Sequence, residues 1–152
     1  MVLKIDDMVP EFNAMTHAGE EISTEILKGK RFVLYFYPKD NTPGCTKEAC
    51  SIRDNYQIFL DNSIPVFGIS GGTAQSHQKF IDKYSLPFPL LMDENFDLAK
   101  KFGTYKRGNR VARVTFLINE DGRIESIFGG DEGIDKVKTA EHAEQIINYW
   151  KL

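Results

Sequence analysis

Cysteine is scarce in this sequence, with two residues in 152, and neither sign of charge dominates. Two cysteines are too few for a secreted scaffold held together by disulfides. The formal net charge of −3 gives no excess of cations to neutralise phosphates, which argues against nucleic-acid binding. No apolar run approaches the roughly 20 residues that cross a bilayer, and the N-terminus lacks the apolar core of a secretory signal. We therefore expect a cytoplasmic protein that binds neither nucleic acid nor a membrane.

Several other signals are also missing. The sequence has no glycine-rich nucleotide loop, no internal repeat and no linker rich in proline, glycine and serine. The three histidines, His17, His77 and His142, are scattered along the chain, and we interpret all of them as surface residues. We expect one domain over residues 1–152 that carries no cofactor and no metal ion.

Short apolar runs alternate with helical patterns along most of the chain. The predicted strands are residues 31–37, 64–70 and 88–93, followed by a β-hairpin over residues 110–128. The predicted helices are residues 43–59, 73–84, 94–103 and 139–152. This alternation predicts an α/β fold, with a mixed central sheet and helices on both faces.

Cys45 lies where the first apolar run has ended and a helical pattern begins. Thr42 and Pro43 are typical of a helix start, as N-cap and first helical residue. Active sites of α/β proteins gather beyond the carboxyl ends of the strands, and amide groups at a helix N-terminus stabilise a thiolate. From position alone, Cys45 is either a reactive thiol or a small buried residue on the core face of the helix.

The residues around Cys45 form a longer string, FYPKDNTPGCTKEAC, at positions 36–50. Within it, Pro38-x3-Thr42-x2-Cys45 resembles the active-site signature of the peroxiredoxins. The whole string is similar to their Q-type, or bacterioferritin comigratory protein, branch, and SIRD, FGIS and RVTFLINEDGRI follow in the family's order. The resemblance implies a thioredoxin-like three-layer fold. It also implies reduction of hydrogen peroxide and organic hydroperoxides by a thiol.

The resemblance also implies a role for each residue of the motif. Cys45 would be the nucleophile that attacks a peroxide oxygen and becomes a sulfenic acid. Thr42 would direct its hydroxyl at the thiolate and the peroxide, and Pro38 would cover the pocket and exclude water. Arg113, in VARVTFLI, matches the arginine that the family supplies from a later strand.

Charge arguments support the choice of Arg113 independently. Cleavage of a peroxide develops negative charge on the leaving oxygen, which a fixed guanidinium stabilises. A charge in the middle of an apolar strand needs a partner, although Arg113 could instead face solvent. Glu48, one helical turn after Cys45, either orients Arg113 or is a charge favoured near the helix start.

Cys50 is the only other cysteine and follows Cys45 by five positions. In a regular helix this spacing turns the side chains roughly 140° apart and separates the Cα atoms by roughly 8–9 Å, too far for a disulfide. The resemblance implies that Cys50 resolves the sulfenic acid, as in atypical two-cysteine members. We therefore expect the start of this helix to unwind after oxidation. Cys50 could instead be an inert thiol.

An intramolecular disulfide must be reduced by a second protein. The resemblance implies thioredoxin or a glutaredoxin-like dithiol as that partner. The sequence leaves open whether the chain is a monomer or a weak homodimer. Two other interpretations are open: a non-enzymatic redox sensor, and a metal-binding module of thioredoxin-like fold. The spacing of Cys45 and Cys50 lies at the edge of what zinc sites use.

Overall fold

A computed structural model describes residues 2–152. Its main feature is a five-stranded sheet in the order β5-β4-β3-β8-β9. These strands are β3 (Phe32–Phe36), β4 (Val66–Ser70), β5 (Leu90–Met92), β8 (Val114–Ile118) and β9 (Ile124–Phe128). The pairs β3–β4 and β4–β5 are parallel, whereas β8 runs antiparallel to β3 and to β9. The predicted mixed sheet is confirmed.

Two smaller antiparallel pairs accompany the main sheet. The strands β1 (Asn13–Met15) and β2 (Glu21–Ser23) form the first pair, in a segment where the sequence analysis predicts no element. The strands β6 (Tyr105–Lys106) and β7 (Arg110–Val111) form the second.

Helices cover both faces of the sheet, which gives three layers. The helices are α1 (Pro43–Asp54), α2 (Tyr56–Asp61), α3 (Ala74–Tyr84), α4 (Asp97–Lys101) and α5 (His142–Trp150), and a 3-10 turn at Thr139–Glu141 precedes α5. One core cluster joins the sheet to α1, α2, α3 and α5, and the other joins its opposite face to α4. The α/β class and the thioredoxin-like three-layer arrangement are therefore as predicted. No helix in residues 2–152 is both long enough and apolar enough to span a membrane.

The central strand β3 explains why the sheet forms where it does. All five of its residues are buried, because β4 and β8 flank it and helices or loops cover both faces. Val33 and Tyr35 point into the α1 side, while Leu34 and Phe36 point into the α4 side. An uninterrupted apolar run is what a strand buried on both faces requires.

Two predicted elements are interrupted in the structure. The helix expected over 43–59 divides at Asn55, whose side-chain amide donates to the carbonyl of Ser51 (2.8 Å) and whose backbone leaves the helical region. Such a local bond competes with the helix. The strand expected over 110–118 breaks at Ala112 and Arg113. The Ala112 amide donates to the Thr104 carbonyl (2.8 Å), in register with the β6–β7 pair, and pairing with β3 begins only at Val114.

The hairpin of β8 and β9 closes as the sequence predicts. The Asn119 side chain accepts hydrogen bonds from the amides of Asp121 and Arg123, and Gly122 adopts a positive φ of 76°. Asparagine and glycine favour such a turn because one supplies a local acceptor and the other has no Cβ. The hairpin places β8 beside β3, so the residue just before β8 lies next to the start of α1.

Candidate active site

Cys45 lies in the first turn of α1, beyond the carboxyl end of β3. Thr42 is the N-cap residue with an extended backbone (φ −97°, ψ 157°), and Pro43 occupies the first helical position. The Cys45 side chain is 1% exposed and belongs to the core face of α1. The sulfur is therefore sheltered from water and close to amide groups that have no partner within the helix.

Arg113 reaches this sulfur from the break between β7 and β8. Its Nη2 donates to Cys45 Sγ at 3.3 Å, and its Nη1 donates to Glu48 Oε1 at 2.7 Å. The expectation of a mid-strand position is wrong, because ladder pairing ends at Val111 and resumes at Val114. Arg113, chosen from the sequence, is nonetheless the residue whose guanidinium contacts Cys45.

Gly44 provides the space for this approach. A Cβ at position 44 would lie 3.1 Å from Arg113 Nη2, which is tighter than ordinary packing allows. Glycine immediately before Cys45 therefore lets the guanidinium lie against the first turn of α1.

Glu48 and Arg113 form a largely buried ion pair in which the carboxylate is fully enclosed. Burial raises the pKa of Glu48 to about 7, against the opposing effect of the Arg113 guanidinium. Burial also opposes the charged form of Arg113, but Glu48 and Cys45 outweigh it and the Arg113 pKa lies above its ordinary value. The pair holds a cation beside the sulfur.

His142 lies behind Glu48 and is fully buried, so its interpretation as a surface residue is wrong. Gln145 donates its amide to the Lys136 carbonyl (2.9 Å), which turns its Oε1 towards His142 Nδ1 (2.8 Å) and places the imidazole proton on Nδ1. His142 Nε2 then accepts from the Thr115 hydroxyl (2.7 Å) and lies 3.6 Å from Glu48 Oε2. Burial lowers the pKa of His142 to about 4.

The other residues of the motif surround α1 in different ways. The Thr42 hydroxyl donates to the Lys39 carbonyl (2.9 Å) and does not cap the helix. Pro38 is exposed in the loop between β3 and α1. Cys50 is half-buried, both cysteines are free thiols, and both lie within the regular turns of α1. Within residues 2–152, no group of three or more His, Cys, Asp or Glu side chains is arranged to hold a metal ion.

Sequence reasoning missed a second buried group, formed by Asp40 and His77. His77 is fully buried, contrary to its interpretation as a surface residue, and its Nδ1 lies 2.7 Å from Asp40 Oδ2. A signal was available, because His77 precedes Phe80 by three positions and Tyr84 by seven and thus shares the core face of α3.

The sequence profile of the AhpC/TSA family matches residues 5–127. This match covers most of the chain. It includes the central strands of the sheet and the start of α1, where Cys45 lies. The chain therefore belongs to the AhpC/TSA family.

Individual relatives give its branch. Peroxiredoxin Bcp of Escherichia coli is 35% identical over 98% of this chain and 96% of that protein. PrxQ of Xylella fastidiosa, a crystal structure of a mutant, has a TM-score of 0.89, 29% identity and coverage of 99% of this chain and 97% of that chain. The bacterioferritin comigratory protein of Xanthomonas campestris, studied for its alkyl peroxide reduction activity, has a TM-score of 0.82, 26% identity and coverage of 95% and 98%. These relatives place the chain in the Bcp/Q branch of the peroxiredoxins.

Proposed function

We propose that the chain acts as one domain and reduces hydrogen peroxide and organic hydroperoxides through Cys45. The observation that carries the proposal is the 3.3 Å contact of Arg113 Nη2 with Cys45 Sγ at the N-terminus of α1. A guanidinium and helix amides both favour a thiolate, which is the form that attacks peroxides. The alkyl peroxide activity of the Xanthomonas relative agrees with this substrate class.

In the first step, the Cys45 sulfur forms a bond to the terminal oxygen of the peroxide while the O–O bond breaks. The electron pair of that bond leaves on the other oxygen, which takes up a proton to give water or an alcohol. Cys45 is oxidised to a sulfenic acid. Arg113 stabilises the charge that develops on the leaving oxygen, as preorganised donors do in other enzymes.

Thr42, Pro38 and Glu48 support this step in different ways. The Thr42 hydroxyl donates a hydrogen bond to the Lys39 carbonyl, so its oxygen lone pairs can accept a hydrogen bond from the peroxide. Pro38 places an apolar ring at the mouth of the site, and its backbone has no N–H to bind water. Glu48 orients the guanidinium through its 2.7 Å contact with Arg113 Nη1.

In the second step, Cys50 attacks the sulfenic sulfur, a disulfide forms and water leaves. The two cysteines belong to one helix, in which Cα atoms five residues apart are separated by roughly 8–9 Å. An unstrained disulfide spans at most about 7 Å, so the first turns of α1 unwind before the bond forms. Thioredoxin or a glutaredoxin-like dithiol then supplies two electrons and restores both thiols.

The test measures mass and disulfide state after one equivalent of hydrogen peroxide, for the wild type, Cys45→Ser and Cys50→Ser. We expect an intramolecular disulfide in the wild type, a sulfenic acid in Cys50→Ser and no change in Cys45→Ser. A thioredoxin-coupled assay should then show steady consumption of peroxide. Unreactive Cys45 in the wild type would overturn the proposal, and oxidation without turnover would indicate a redox sensor instead.

A further inference from the structure

The loop that joins β3 to α1, residues 37–42, carries Pro38 and Thr42 and ends three residues before Cys45. Asp40 is the only buried residue among positions 38–42. Its side chain turns away from α1 and towards α3, where it meets Ser76 and His77. The loop that forms one wall of the site is thus held from the far side by a residue that does not touch Cys45.

The Asp40 carboxylate accepts three hydrogen bonds. The Tyr37 hydroxyl donates to Oδ1 (2.6 Å), and the Ser76 hydroxyl (2.7 Å) and His77 Nδ1 (2.7 Å) donate to Oδ2. Burial alone would raise the pKa of Asp40, but these bonds and the charge of His77 outweigh it, and the pKa lies below its ordinary value. The carboxylate is therefore charged and fully hydrogen-bonded.

His77 completes the group on the other side. Its Nε2 lies 3.1 Å from the Leu91 carbonyl, while its Nδ1 faces Asp40. The imidazole ring therefore bridges the Asp40 carboxylate and the Leu91 carbonyl. Asp40 and His77 thereby make a buried hydrogen-bonded pair that links the loop to α3 and, through Leu91, to strand β5.

Gly72 leaves room for Asp40 and His77 because it has no side chain. A Cβ at position 72 would lie 2.6 Å from Asp40 Oδ2 and 3.1 Å from the His77 ring. The backbone of Gly72 does not have a positive φ, so steric room rather than conformational freedom explains the glycine. Any larger residue would displace the carboxylate from its partners.

We propose that Asp40, held by His77 and Ser76, is a positioning residue that fixes the loop carrying Pro38 and Thr42 for the attack of Cys45 on peroxide. This inference rests on the proposed function of Cys45. The Asp40–His77 pair lies outside residues 43–50, so it keeps one end of the segment in place while the start of α1 unwinds. Misplacing reacting groups by about 1 Å costs up to about 100-fold in rate.

The test measures the second-order rate constant for oxidation of Cys45 by hydrogen peroxide, together with the unfolding free energy of the reduced protein. Asp40→Ala should lower that rate constant by about 10- to 100-fold. Asp40→Asn should stay within about threefold of the wild type, because the amide can accept from Tyr37 and donate to Ser76 and to a neutral His77. Wild-type oxidation in Asp40→Ala would overturn the proposal.

Asp93→Ala is the matched control for lost stability. Asp93 is also a buried carboxylate, but it accepts hydrogen bonds from the amides of Leu98 and Ala99 at the start of α4. We expect this variant to unfold more easily and still to oxidise at a rate within about twofold of the wild type. Slowing as large as in Asp40→Ala would assign the effect to general destabilisation and contradict positioning.

Gly72→Ala gives a second route to the same displacement without removing a polar group. It should slow oxidation in the wild-type background and add no further loss in the Asp40→Ala background, because the displaced group is then already absent. Additive losses would contradict the proposal. Failure of the proposed function itself would appear separately, as an unreactive Cys45 in the unmodified protein.

Discussion

At the scale of single residues, Arg113 has two distinct partners on two different nitrogens. Nη1 contacts Glu48 and Nη2 contacts Cys45, so the planar fork of the guanidinium spans a carboxylate and a sulfur at once. A lysine ammonium carries the same charge at a single point and cannot reproduce this geometry.

Arg113→Lys is therefore expected to lower the rate constant of Cys45 oxidation by about 100-fold or more, as loss of a preorganised donor does elsewhere. Stopped-flow measurement with hydrogen peroxide provides the check. Arg110→Lys is the control, because Arg110 is exposed and, among residues 2–152, its side chain donates only to the Arg107 carbonyl. Equal rates for the two variants would argue against a specific role for Arg113.

Glu48 and His142 have opposite effects on how stability depends on pH. The Glu48 pKa rises from 4.5 to about 7 on folding, so the folded state binds the extra proton and stability falls as pH rises through this window. The His142 pKa falls from 6.5 to about 4, so stability rises with pH between those values. In the wild type the two slopes largely cancel below pH 6.5.

Glu48→Gln should remove the pH dependence of stability that comes from Glu48 and leave the part that comes from His142. The unfolding free energy of the wild type relative to the variant should fall between pH 4.5 and 7, by at most about 3 kcal/mol for one proton. Denaturation by urea at pH 5 and pH 7.5 measures the difference. Identical pH dependence in the two proteins would show that Glu48 keeps an ordinary pKa in the fold.

At the scale of elements, α1 is held on two sides by contacts that oxidation must disturb. The Ser51 hydroxyl accepts a hydrogen bond from the Ala143 amide (3.0 Å) at the start of α5, and Arg53 donates to the Tyr84 carbonyl (2.7 Å) at the end of α3. Cys45 and Cys50 approach each other only when α1 opens, so the start of α5 loses support from Ser51 if the opening extends that far.

Hydrogen exchange should reveal this opening. We expect amides of residues 45–50 to lose protection when the wild type is oxidised, with a smaller loss at residues 142–144, while α3 remains protected. The measurement compares reduced and oxidised protein by mass spectrometry, and Cys50→Ser treated with the same oxidant is the control. Unchanged protection of α1 in a protein that contains the disulfide would contradict the unwinding step.

The elements also show which parts of the structure a sequence can predict. Strand β3 and the hairpin of β8 and β9 were predictable because local signals agree with the fold: a continuous apolar run, and a turn built on Asn119 and Gly122. The break at Asn55 was not, because it depends on one side chain bonding its own helix. The spacing of His77 from Phe80 indicates its burial but not its partner Asp40, and the burial of His142 depends on Thr115, a residue far along the chain that periodicity does not identify.

At the scale of the whole molecule, net charge is small, and the buried carboxylates are hydrogen-bonded at short range. The formal net charge is −3, Arg113 lies 2.7 Å from Glu48, and His77 lies 2.7 Å from Asp40. Contacts this short are much less than a Debye length of about 8–10 Å at physiological salt. An uncharged peroxide also experiences little long-range attraction from such a surface.

The rate constant for Cys45 oxidation by hydrogen peroxide should therefore change by less than about twofold between low salt and about 0.5 M salt. The same stopped-flow assay measures it, with sodium chloride as the only variable. A steep fall with salt would mean that exposed charges, rather than the enclosed groups around Cys45, attract the substrate or activate the thiol.

Gly44 and Gly72 have a consequence for reading natural and laboratory variation in this family. At each position a Cβ would meet a polar side-chain group, 3.1 Å from Arg113 Nη2 at position 44 and 2.6 Å from Asp40 Oδ2 at position 72. Neither glycine has a functional group, yet one added carbon at either position would move a charge out of place. In a saturation mutagenesis survey these two positions would therefore score as sensitive alongside Cys45, and a list of sensitive positions would not distinguish the reacting groups from the glycines that make room for them.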